Sequence, residues 1–119
     1  MAKLIPVGFF RELRHGKPNG PSLRQSVAKE AAPDEAKVVA YLKAGKLLVA
    51  APGIVKDALA PAGPIGSASI LTDGAYAWPE DFAYYVARYH VRPPADFAAH
   101  MASRDWQVPS DLAVAGLEL

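Results

Sequence analysis

The chain has 119 residues, of which 51% are hydrophobic and 21% charged, and these proportions are those of one folded domain and not of a disordered chain. It contains no cysteine, which excludes disulfides, thiolate metal sites and cysteine nucleophiles. The net charge is +1, and no apolar run approaches the roughly 18 residues of a membrane span. The sequence therefore predicts a cytoplasmic protein without a membrane partner.

Positive charge is concentrated in the first quarter of the chain. Residues 1–29 carry a net charge of +5, against −4 for residues 30–119. Such an asymmetry is found in proteins that bind nucleic acid or an acidic partner, although a solvated face with its counter-charges nearby in space has the same pattern. The residues that would form this basic surface are Arg11, Arg14, Lys17 and Arg24.

The N-terminal half predicts two helices and a strand after an irregular segment. Residues 1–21 are interrupted by Pro6, Gly8 and a loop rich in Gly, Pro and Asn, which disfavours a central strand. Ser22 stands three residues before Gln25, the spacing of a capping box, and predicts a helix over 23–31. A second helix is predicted over 34–44 and a buried strand over 46–51. The connection 52–66 has the pattern of a single helical turn.

The dipeptide Asp73-Gly74 predicts the centre of a hairpin between strands 67–72 and 75–78. Thr72 would then lie opposite Ala75, and alternation would place Leu71 and Trp78 on one face together with Tyr76. With strand 46–51 the hairpin would form a small antiparallel sheet of about three strands.

Two further helices are predicted over 80–90 and 95–104, each preceded by a proline that suits a helix start. The predicted fold is α+β, with this small sheet packed against four or five short helices in a single domain, 1–119. Residues 113–119 are expected to fray.

The residues support three hypotheses for function. The first is a non-enzymatic module that binds another protein, because aromatic and arginine side chains are typical interface anchors. The second is nucleic-acid binding through the basic quarter, and the third is a small acid–base enzyme that uses Asp73 or Asp81 with His90. Asp96 and His100 are predicted to pair on one helix face. No histidine spacing indicates a metal site, and no motif indicates a cofactor. The interaction candidates are Tyr76, Trp78, Glu80, Tyr84 and Arg88.

The run Leu-Thr-Asp-Gly-Ala-Tyr-Ala-Trp-Pro-Glu-Asp-Phe-Ala-Tyr-Tyr-Val over 71–86, continued by Tyr89-His90-Val91, resembles a segment of small uncharacterised bacterial proteins of the actinobacterial type. That resemblance implies a bacterial cytosolic protein. It also implies a further alternative for function, an immunity protein of a bacterial toxin system. It implies no catalytic residue and no oligomeric state.

Overall fold

A computed structural model describes residues 2–13, 16, 18–51, 53–60 and 63–118. Within these ranges the chain is α+β, and none of its helices is long and apolar enough to cross a lipid bilayer. The strands are β1 (Ala2–Lys3), β2 (Ile5–Pro6), β3 (Lys46–Val49), β4 (Ile54–Lys56), β5 (Pro64–Ser67), β6 (Ile70–Thr72), β7 (Tyr76–Pro79) and β8 (Leu117–Glu118). The helices are α1 (Leu23–Ser26), α2 (Glu35–Lys43), α3 (Phe82–Tyr89) and α4 (Ala95–Ser103).

The main sheet has four strands in the order β2-β7-β6-β3 and is mixed, which corrects the predicted antiparallel sheet of three. The additional strand is β2, which pairs in parallel with β7 and comes from the segment predicted to be irregular. Pro6 has no N–H to donate, but proline is tolerated in a strand at the end of a sheet. The two residues of β2 are too few for a hydrophobic alternation, so the sequence carries no strand signal there.

The hairpin forms between β6 and β7, but its turn lies one residue later than predicted. Asp73 N–H donates to the carbonyl of Tyr76, so Gly74 and Ala75 form the turn and only Gly74 has a positive φ, +96°. Thr72 consequently lies opposite Ala77, not Ala75. The pairing shifts by two residues, and an even shift preserves the faces. Leu71 and Trp78 therefore share one face, as predicted.

The predicted strand 67–72 is divided in two, and each half pairs with a different partner. Its second half, β6, pairs with β3, whereas Ser67 ends β5, which pairs with β4. The predicted helical turn near residue 54 is thus wrong, because Ile54–Lys56 is a strand. β3 runs antiparallel to β6 in the main sheet, and β4 runs antiparallel to β5 in a separate two-stranded sheet. We call β3 and β4 together the outer edge.

The helices form where the sequence predicts them, but α1 and α3 are shorter. The first helix ends at Ser26 because Val27 is extended and the N–H of Ala28 donates to the carbonyl of Tyr89 at the end of α3. Helix α3 begins only at Phe82, because Pro79 completes β7 and the N–H of Glu80 donates to the backbone carbonyl of Ser69. Tertiary hydrogen bonds therefore override the local helix signals at both places.

The C-terminal segment is held by the N-terminus. β8 pairs in parallel with β1, with Lys3 opposite Glu118, and the side chain of Leu112 lies over Gly74 in the hairpin turn. Leu119 lies outside the described residues, and the fraying of residues 113–119 stays a prediction.

Trp78 lies at the centre of the core, between the sheet and two helices. Its indole ring lies 6.0 Å from the ring of Tyr41 in α2 and 5.6 Å from that of Phe97 in α4, measured between centroids. The indole N–H donates to the carbonyl of Leu42 at 3.1 Å. Helix α3 adds Phe82 and packs against α2. The core therefore forms between one face of the sheet and three helices.

Glu12 caps α1 from outside the helix. Its carboxylate accepts hydrogen bonds from the N–H groups of Leu23 (2.7 Å) and Arg24 (3.0 Å) and from the hydroxyl of Ser22 (3.0 Å). The predicted Ser22 cap is also present, since its hydroxyl accepts from the N–H of Gln25. Partial burial opposes ionisation of Glu12, but these hydrogen bonds outweigh it and lower its pKa from 4.5 to about 2.

Replacing Glu12 with Gln should lower the unfolding free energy at pH 7 by about 1 kcal/mol, the usual contribution of a helix cap. Because the folded pKa is depressed, this stabilisation is present above pH 4.5 and is lost as the pH falls towards about 2. Urea unfolding between pH 2 and 7 measures it, with Glu30→Gln as the control on an exposed acid. Identical pH curves for wild type and Glu12→Gln would contradict the cap.

Candidate functional site

The outer edge carries most of the exposed large hydrophobic side chains of the described residues. Five large hydrophobic side chains are exposed among the described residues. Three of the five lie in the outer edge: Leu47 (52% exposed), Val49 (44%) and Ile54 (65%). Among the described strands, β3 is an end strand of its sheet and β4 pairs only with β5. A strand with one unpaired border offers backbone N–H and C=O groups to a further strand. The outer edge is therefore an apolar surface with hydrogen-bonding capacity.

Both charged residues within the outer edge are lysines. At the β4 end, Ile54 and Lys56 also line a cavity with the acids Glu12 and Asp81. Lys46 begins β3 and Lys56 ends β4, so a cation stands at each end of the apolar run. Neither of these lysines forms an ion pair with any residue that the structure describes. The edge therefore favours an extended segment that carries acidic residues near its ends.

The aromatic interaction surface predicted around the hairpin does not assemble as one patch. Trp78 is completely buried, so it is not available to a partner in the folded chain. Tyr76 is half-buried, with its ring 4.7 Å from that of Phe97. Glu80 accepts a hydrogen bond from the hydroxyl of Ser67 at 2.9 Å. These three side chains thus have intramolecular roles that the sequence pattern does not reveal.

The remaining two candidates, Tyr84 and Arg88, lie beside a tyrosine cluster that closes on Asp57. One carboxylate oxygen of Asp57 accepts hydrogen bonds from the hydroxyls of Tyr84 (2.8 Å) and Tyr89, and the exposed Arg88 guanidinium lies 5.3 Å from the centre of the Tyr89 ring. Burial opposes ionisation of Asp57, but these hydrogen bonds together lower its pKa. The cluster connects α3 to the loop after β4, so the hydroxyls of Tyr84 and Tyr89 have a structural role.

The predicted acid–base set does not form, because the carboxylates and the histidines have other partners. His90 ends α3 as a left-handed cap, and its Nδ1 lies 2.8 Å from a carboxylate oxygen of Glu35. Asp73 instead contacts Nε2 of His100 at 2.9 Å, so the predicted Asp96–His100 pair is replaced by a longer-range one. No signal in the sequence connects residues 73 and 100.

Asp73 is fully buried and both its carboxylate oxygens are occupied. Oδ1 accepts from the N–H groups of Ala75 (2.9 Å) and Tyr76 (2.7 Å), and Oδ2 accepts from the Tyr41 hydroxyl and from His100. Burial alone would raise the pKa of Asp73, but these hydrogen bonds and the nearby imidazole hold it below its usual range. Burial and the bond to Asp73 raise the pKa of Tyr41.

A buried carboxylate that orients a histidine is also the arrangement found in catalytic triads. Here, however, the imidazole of His100 lies 4.9 Å from the ring of Tyr76 and 6.4 Å from that of Phe97. Neither Asp73 nor His100 is among the described residues that line the cavities of about 790, 650 and 140 Å³. The arrangement is therefore best explained as a clamp that fastens the hairpin turn to α2 and α4.

Asp81 lies apart from that clamp, beside a cavity of about 140 Å³ that Glu12 and Lys56 also line. Burial, reinforced by the charge of Glu80, raises the pKa of Asp81 to about 6. A carboxyl group with such a pKa is a common feature of acid–base sites. Among the described residues, however, no histidine lines this cavity, and the pairing of Asp81 with His90 is not supported.

The basic side chains of the first quarter are exposed where the structure describes them. Arg11 and Arg24 are exposed, whereas Arg14 and Lys17 lie outside the described residues. Within the described ranges, no group of three or more potential metal ligands is close enough to hold an ion.

Comparison with known proteins adds no family to these observations. No family model matches the chain, and no match was found among curated proteins or solved structures. The resemblance of residues 71–91 to small bacterial proteins therefore stays a prediction, and the geometry of the chain carries the argument about function.

Proposed function

We propose that the protein is a non-enzymatic binding module that holds an extended segment of another protein along the outer edge. The observation that carries this proposal is that β3 and β4 each have a border that pairs with no other described strand, with Leu47, Val49 and Ile54 exposed on these two strands. Addition of a strand to such a border supplies main-chain hydrogen bonds, and side chains that alternate along the strand supply specificity.

The charges favour an acidic partner over a second copy of this chain. Two copies paired through the outer edge would bring lysine-flanked strands together, and like charges side by side oppose association. A partner strand with acidic residues near its ends would instead meet Lys46 and Lys56. The proposed partner is thus an extended segment in which apolar side chains alternate and acids flank them.

Selection of random peptides displayed on phage against the purified chain tests this proposal. We expect the enriched peptides to have apolar side chains at alternate positions with an acid near each end. Addition of such a peptide should change the amide chemical shifts of the protein at residues 46–56. Leu47→Asp and Ile54→Asp should each weaken binding about tenfold, because each removes an apolar anchor and adds a charge that repels the peptide.

The matched control is Val27→Asp, since Val27 is also exposed (40%) but lies at the end of α1. This variant should bind the peptides as wild type does. Shifts that map away from the outer edge, or equal binding by the Leu47→Asp and Val27→Asp variants, would reject the proposal.

A further inference from the structure

A cavity of about 790 Å³ opens on a different part of the molecule, between the N-terminal segment and the sheet. Its volume falls within the roughly 300–1,000 Å³ of small-molecule sites. Apolar side chains form most of its described lining, among them Val7 and Phe10 from the segment after β2 and Ile70 from β6. An apolar ligand would therefore gain stability there by leaving water.

The lining is held in place by backbone interactions and by packing against the core. The N–H of Val7 donates to the carbonyl of Ala77 at 2.9 Å, which extends the pairing of β2. The ring of Phe10 meets that of Phe82 edge-on at 5.8 Å. Gly8 has a φ of +80°, and a Cβ there would come within 2.7 Å of the Phe82 ring. The wall is therefore preformed by contacts that do not need a ligand.

Both charged residues among the described lining of the cavity are cations. Lys3 comes from β1, and Arg92 from the connection between α3 and α4, where the buried Val91 precedes it. No acid is among the described lining residues. Glu118 lies opposite Lys3 in the strand register, yet neither Lys3 nor Arg92 forms an ion pair within the described part of the chain.

We infer that this cavity binds a single-chain anionic amphiphile, with its apolar chain against Val7, Phe10 and Ile70 and its acidic head group between Lys3 and Arg92. A neutral apolar molecule would leave both cations without a partner, and a cationic one would be repelled. The fork of an arginine side chain also matches the geometry of an acidic head group. None of the described residues that line this cavity belongs to the outer edge, although Ile70 pairs with Val49, so the two proposals are tested by different residues.

Titration of the full chain with octanoate, followed by amide chemical shifts, tests the inference. We expect saturable shifts at Val7, Phe10 and Ile70, and weaker binding of 1-octanol, which has the same chain length without the charge. Reversal of both cations, Lys3→Glu with Arg92→Glu, should weaken octanoate binding about tenfold and leave 1-octanol binding unchanged, as expected for two exposed ion pairs.

The control reverses an exposed lysine and an exposed arginine outside the cavity, Lys43→Glu with Arg88→Glu, so that the net charge changes equally. This variant should retain the wild-type affinity for octanoate. The inference is overturned if octanoate causes no shifts in the lining residues, if 1-octanol binds as tightly, or if the control variant loses as much affinity as the Lys3/Arg92 variant.

Discussion

Asp73→Asn should lower the unfolding free energy at pH 7 by about 3–5 kcal/mol, the usual cost of removing one partner from a buried charged network. The amide can still accept from the N–H groups of Ala75 and Tyr76, but its NH₂ group replaces the charged acceptor of the Tyr41 hydroxyl and the His100 imidazole, and both would have to reorient to accept from it. Such a loss is a large fraction of the 5–15 kcal/mol that typically stabilises a domain. Urea unfolding measures it.

The pH dependence separates this effect from a loss of shape. The folded pKa of Asp73 is depressed, so its stabilisation is present above its unfolded pKa of about 3.9 and is lost as the pH falls through the lower folded value. The difference between wild type and Asp73→Asn should therefore be largest near neutrality and shrink in acid.

Asp96→Asn is the matched control, because Asp96 is exposed in the first turn of α4 and is the partner that the sequence predicts for His100. This variant should cost less than about 1 kcal/mol, the contribution of an acid near a helix start. Equal destabilisation by the two variants would mean that Asp73 does not hold the clamp.

The contrast between Asp73 and Asp96 shows where sequence reasoning succeeds and where it stops. Helical spacing predicts α2, α3 and α4 to within a few residues, because apolar periodicity is a local property. The even shift of the hairpin also leaves the face of Trp78 as predicted. The His100–Asp73 contact spans 27 residues and depends on how α4 packs on the sheet. No local pattern encodes that distance.

The outer edge was missed for a related reason. Leu47 and Val49 belong to an apolar run that predicts a buried strand, yet in the structure β3 is an end strand and both side chains are exposed. Ile54 lies in a stretch rich in Gly and Pro that masks the short strand β4. Strand order in a sheet follows from long-range pairing, so the sequence of one strand does not reveal whether its border is open.

The cavity was equally hidden from the sequence. Lys3 and Arg92 are 89 positions apart in the chain, and only the folded chain brings both to the same opening. Lys3 belongs to the basic quarter that the sequence distinguishes, whereas Arg92 does not. The distribution of charge along the chain therefore identifies the N-terminal quarter, but it does not show which cations lie at the same cavity.

Trp78→Ala should be about as destabilising as Asp73→Asn, with an expected loss of about 3–5 kcal/mol from removing a fully buried aromatic side chain. The substitution opens a cavity between Tyr41 and Phe97 and also leaves the carbonyl of Leu42 without the indole N–H. A Cβ added at Gly45 would lie 2.6 Å from the indole ring and would overlap it in wild type. Gly45→Ala should nevertheless not restore the stability of Trp78→Ala, because one methyl group fills only a small part of the volume that the indole leaves.

The second tryptophan of the chain provides the matched control. Trp106 is half-buried, and the Lys37 ammonium lies 5.9 Å from the centre of its ring. Trp106→Ala should cost roughly 1–2 kcal/mol, because a partly exposed side chain loses less apolar burial. Urea unfolding of both variants, followed by circular dichroism because the tryptophan signal itself changes, measures the difference. If Trp106→Ala proves the more destabilising variant, the core does not centre on Trp78. That result would also contradict the packing of α2 and α4 against the Trp78 face of the sheet.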